Sequence, residues 1–92
     1  MEPQPLDHTF IATIQGDMGP HKWDMVAMPG SVEFFGTGKA VKVVATIDGE
    51  EVTTSLLPGG GSHLLPIKGA IGTAIGKSAG DEVTVRLTQR LS

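Results

Sequence analysis

The chain has 92 residues, 39% of them hydrophobic, no cysteine and a formal charge of −3. These numbers describe one domain with a small core, which a dimer interface sometimes completes. They exclude disulfides and thiolate metal sites, and the acidic balance has the wrong sign for a general nucleic-acid binder.

Residues 1–7 hold two prolines and few apolar groups, so a loose leader is expected. The segment lacks the basic start and apolar run of a signal peptide. No apolar stretch approaches the ~18 residues that span a bilayer. A cytoplasmic protein with no membrane partner is the default expectation. From His8 to Gln15 the residues alternate, with Phe10, Ala12 and Ile14 on one face, which predicts a strand. Gly16-Asp17-Met18-Gly19-Pro20 has turn chemistry, and a second strand is expected from His21 to Met28. Ser31 to Phe35 is ambiguous; one reading is a helical turn capped by Ser31 and closed by Gly36 and Gly38.

Lys39 to Asp48 is the clearest strand, with Val41, Val43, Ala45 and Ile47 on one face. Asp48-Gly49 suits a two-residue hairpin turn, and Glu51 to Leu57 returns from it. Gly59-Gly60-Gly61 forms a loop that other groups can approach closely. Leu64-Leu65 reads as a short strand, and Pro66 suits the first turn of a helix. Ile67, Ala70, Ile71, Ala74 and Ile75 recur at helical spacing, predicting a helix over 67–75 that ends at Gly76. Ala79-Gly80-Asp81 turns the chain into a last strand with Val83, Val85 and Leu87 inward. Five or six strands and one helix point to a closed or nearly closed small barrel, a single domain over 1–92.

The run from Phe10, through Trp23 and Pro29, to Thr46-Ile47-Asp48-Gly49, Ser55-Leu56-Leu57-Pro58, Gly61 and His63, then Gly80-Asp81-Glu82-Val83, resembles a bacterial family, domain of unknown function 1905. The resemblance runs from Phe10 to Leu87. It implies an all-β fold: a double-split β-barrel of about six strands with one short α-helix. The segment from Leu65-Pro66-Ile67 to Val85 is also similar to the half-barrel of swapped-hairpin transition-state regulators and antitoxins, which bind DNA as intertwined dimers. The resemblance implies an architecture and no reaction. This chain departs from the family pattern in an uncharged glycine loop, where a basic and an acidic residue are common. Its helix is glycine-rich where relatives tend to place lysine or arginine.

The candidate ligand-binding residues are Gly59, Gly60, Gly61, Ser62 and His63, with Trp23. His63 reads either as an imidazole presented by a loop on a rigid barrel or as a histidine hydrogen-bonded to backbone. His8, His21 and His63 lie on separate segments without metal-site spacing, so no metal and no cofactor is expected. Gly76-Lys77-Ser78 lacks the upstream glycine of a phosphate loop. Gly69-Ala70-Ile71-Gly72 has the form of a nucleic-acid clamp, but an apolar periodic segment around it favours helix packing. Lys39, Lys42, Arg86 and Arg90 read as a solvated sheet face. Trp23 is a core residue or a pocket wall. Phe34-Phe35 with Met28 is core or an exposed apolar patch. No serine sits in a nucleophile elbow.

The function expected is a non-enzymatic binding module for a small molecule or a protein, as monomer or homodimer. One alternative is a DNA-binding or antitoxin-like dimer by fold analogy. Another is a small cyclase or isomerase with a barrel pocket.

Overall fold

A computed structural model describes residues 4–18 and 23–92. In chain order the elements are β1 (Gln4–Thr13), β2 (Gln15–Met18), β3 (Trp23–Met28), α1 (Ser31–Phe35), β4 (Val41–Ile47), β5 (Glu50–Gly59), β6 (Ser62–Ile67), α2 (Gly69–Ile75) and β7 (Glu82–Arg90). The fold is all-β and barrel-like. Seven antiparallel strands run in the order β1-β7-β4-β5-β6-β3-β2.

The two ends of that order are one stretch of chain. Only Ile14 separates β1 from β2, so a single bent strand serves the first half of the sheet through β7 and the second through β3. Ile14 is buried, donates its N–H to the Asp81 carbonyl at 2.8 Å and accepts from the Gly80 N–H at 2.9 Å. The expected count of six strands becomes seven because this bend is a break in pairing. β5 is shared in the same manner. Residues 50–56 pair with β4, and Leu57 to Gly59 pair with β6.

Alternation in the sequence dictates the core. Val41, Val43, Ala45 and Ile47 of β4 meet Val83, Val85 and Leu87 of β7 inside the sheet, with Phe10, Val26, Met28, Leu56 and Leu65. Leu6 packs against this core, and β1 begins at Gln4, inside the stretch expected as a loose leader. Pro5 is tolerated because β1 pairs only with β7 along this stretch. Gly16 to Met18 was expected as a turn; it belongs to β2, which pairs with β3. The expected turn at Gly19-Pro20 and the strand start at His21 lie outside the described residues.

Two short helices stand where one was expected. α1 does form, but Gly30 is its N-cap at φ 66, and Ser31 makes no cap bond. Gly36 closes it at φ 71. α2 starts at Gly69, and no residue of it is fully buried; Ile71 and Ile75 lean on the core. Pro66 belongs to β6, opposite Met25 of β3. A proline fits there because β5 has already left β6: their pairing ends at Leu57–Leu64, so that side of Pro66 needs no N–H.

Two hairpin turns share one geometry. Asp48 (φ 49) and Gly49 (φ 89) join the Ile47–Glu50 pair. Gly60 (φ 60) and Gly61 (φ 82) join the Gly59–Ser62 pair. Two successive positive φ values mark the hairpin turn whose twist suits the flanking strands. The three-glycine loop is therefore a tight turn with Gly59 inside a strand. Gly61→Ala should destabilise the fold by about 1 kcal/mol or more, since alanine resists this backbone. Gly60→Asn should be near neutral. Urea midpoints of both variants check the contrast.

The Asp48 turn is also tied to its surroundings. Its carboxylate meets Lys77 Nζ at 2.6 Å and accepts the Thr84 N–H at 2.8 Å. The lysine first, then the backbone N–H, holds the Asp48 pKa below the ordinary aspartate value. A lowered carboxylate pKa stabilises the fold above the unfolded-state value, and that contribution disappears as pH falls through the folded-state value. Asp48→Asn keeps the turn, because asparagine accepts positive φ. The variant should be less stable than the parent at neutral pH by under about 1 kcal/mol, the pair being partly solvated. Urea midpoints should converge below the carboxylate range.

Candidate functional site

His63 is 0% exposed and so is Ser31, which lies at the start of α1. The Nε2 atom of His63 lies 2.7 Å from the Lys39 carbonyl oxygen, which can only accept, so Nε2 carries the proton. In that tautomer Nδ1 accepts from the Ser31 hydroxyl at 2.7 Å. Ser31 Oγ in turn accepts the His63 backbone N–H at 2.7 Å. Phe35 stands edge-on to the imidazole at 5.5 Å, and Arg90 covers the Phe35 ring at 5.4 Å while donating to its carbonyl. One buried network thus fastens α1, the connection into β4, and β6. A serine within reach of a histidine is the arrangement by which a base activates a hydroxyl. This pair borders none of the clefts described below, and both groups are occupied in holding backbone.

The open chemistry lies where β5 parts from β6. There β5 turns to β4, while β6 stays with β3 as far as Ile67. A cleft of about 240 Å³ fills the opening. Leu57 and Pro66 give it apolar walls, and Thr53, Thr54 and Ser55 add hydroxyls along β5. Trp23, the first residue of β3, forms one side. Lys68 places its Nζ 5.6 Å from the centre of the Trp23 ring, within cation–π range. Lys42, paired with Ser55 across β4 and β5, completes the rim. A second cleft of about 220 Å³ adjoins it, sharing Thr53, Thr54, Pro66 and Lys68 and extending to Ile71 of α2. By strand register Trp23, Met25 and Ala27 share the outer face with Leu64 and Pro66. Met25 is only 3% exposed yet lies outside the main core cluster, so this face has its own apolar packing.

The structure does not bring the six expected site residues together. Trp23 borders the split cleft. Gly59, Gly60 and Ser62 border a different cleft of about 390 Å³ with Ala27 and Leu64. Gly61 lines neither, and His63 lies in the core. His63 combines both properties of its second reading, burial and a backbone partner. Lys42, expected as part of a solvated strip, and Lys68, unremarked in the sequence, both reach the cleft. The separation of Lys42 from Lys68 in the chain leaves no local signal for that convergence. Of the Phe34-Phe35 pair, Phe35 is buried and Phe34 is 41% exposed, its ring tilted against His8 at 4.5 Å. Among the described residues, no group of three or more His, Cys, Asp or Glu side chains is placed to hold a metal, and His21 lies outside them.

A family model described as Domain of unknown function (DUF1905) matches residues 10–87. The chain belongs to this family. The match takes in every strand from Phe10 of β1 to Leu87 of β7, and with them the described lining of the cleft, Ser31, Lys39 and His63. No curated protein matches the chain. Among the described residues no helix is long and apolar enough to cross a membrane.

The His63 network makes a quantitative demand. His63→Ala removes a packed ring and leaves the Ser31 hydroxyl and the Lys39 carbonyl without their buried partner. The expected loss is about 2–4 kcal/mol. Ser31→Ala should lose less, about 1–2 kcal/mol. Chemical denaturation of both variants measures this. A His63→Ala protein as stable as the parent contradicts the structural role.

Proposed function

We propose that this domain is a non-enzymatic binding module for a small organic molecule, and that its site is the cleft where β5 leaves β6. The observation that carries the reading is the placement of Trp23. The chain's single tryptophan stands at the wall of an opening that the strand topology itself creates. Ligands favour concave sites with apolar walls and a few polar groups, often where strands diverge. Leu57 and Pro66 supply the walls, and the β5 hydroxyls supply orientation. His63 serves by holding β6 in place, so no catalytic role is assigned to it. The partner proposed is a small molecule in the cytoplasm rather than nucleic acid, in keeping with the net charge of −3.

The test is a fragment screen read by amide and indole NMR shifts. Perturbations should cluster at the Trp23 indole N–H and at the amides of Thr53, Thr54, Ser55 and Leu57. Trp23→Ala should abolish them while the rest of the spectrum stays folded. Hits that instead cluster at Gly59, Gly60 and Ser62, or at Phe34, would move the site elsewhere.

A further inference from the structure

We infer that the ligand of the split cleft is an organic anion with a planar ring: the ring lies against Trp23 and the carboxylate or phosphate meets Lys42 and Lys68. This rests on the reading of the cleft as the binding site and adds the chemical class of what it takes. The charge distribution points there. The chain as a whole is acidic, yet the described residues bordering this cleft include two lysines and no aspartate or glutamate. The other basic groups with ion-pair partners are engaged elsewhere: Lys77 with Asp48 and Arg86 with Asp7. Among the described residues neither Lys42 nor Lys68 has an acidic partner within salt-bridge distance. Both are exposed at the rim, and a ligand's charge would draw Lys68 from its place over the Trp23 ring.

The aromatic component rests on Trp23 at the cleft wall. Lys68 already sits over the Trp23 ring, so the ammonium and the ring face occupy one end of the cleft. A ligand that combines a planar ring with a negative group satisfies both at once: the ring packs on the indole, and the charge draws Lys68 from one side and Lys42 from the other. Thr53 and Ser55, which share one face of β5, are within the same lining and suit the remaining oxygen atoms of a carboxylate or phosphate. A volume of about 240 Å³ suits a single small ring system with its substituent, and the adjoining cleft toward Ile71 gives room for an extension.

The experiment uses matched pairs of probes on the whole chain, read at the single indole N–H peak. Benzoate is compared with benzamide, and adenosine monophosphate with adenosine. Each anion should bind more tightly than its neutral partner by a factor of about two to thirty, the size expected from two solvent-exposed charge contacts. Added salt should weaken the anion and leave the neutral probe unchanged. Lys42→Gln with Lys68→Gln, both surface changes, should remove the preference while keeping the fold. Equal binding of charged and neutral partners overturns the anion inference and leaves the cleft reading standing. No shift at Trp23 with any of the four probes overturns both.

Discussion

β5 changes partners part-way along its length, and the rest of the molecule is arranged around that change. A strand in a sheet needs hydrogen bonds on its backbone, and each partner satisfies it only where the two run together. β5 runs with β4 from Glu50 to Leu56 and with β6 from Leu57 to Gly59. The bend at Ile14 performs the same service at the other side of the fold. Two shared strands let seven short segments wrap one core without a long flat edge. They also force β5 and β6 apart at one place, and that place is the cleft.

An opening beside a core needs support, and the buried His63 network lies on the strand that borders it. β6 carries His63 on its inner face and Leu64 and Pro66 on its outer one. Fixing the imidazole between Ser31 and the Lys39 carbonyl fixes the outer residues through the same backbone. The hairpin turn at Gly60-Gly61 sets the register of β6 against β5, and a slip of one residue would exchange its two faces. Core histidine and cleft wall are thus two faces of one strand.

The alternation of β4 and β7 was readable because each strand has one buried face, and period two is a local property of the sequence. The Asp48-Gly49 turn was readable because turn chemistry is local as well. Pro66 misled, since a proline before an apolar helical pattern normally opens the helix; only the departure of β5 makes it acceptable in a strand. The glycine run misled in a different sense. Gly60 and Gly61 supply positive φ in a tight turn, and nothing in the sequence separates that use from close approach by a ligand. The sequence left Trp23 open between core residue and pocket wall, and it gave no sign of the companions that Trp23 meets in the cleft. Lys42, Ser55 and Lys68 meet it only through the strand order, and Ser31 meets His63 across 32 residues of chain.

The claim that joins these parts is that the cleft beside Trp23 binds and the histidine behind it only supports. A crystal structure of the protein soaked in benzoate tests it directly. The expected result is a ring against Trp23 with its carboxylate between Lys42 and Lys68, and His63 still bonded to Ser31 and the Lys39 carbonyl. A ligand seated at the Gly59–Ser62 cleft, an empty split cleft, or His63 turned outward to meet the ligand would contradict the account.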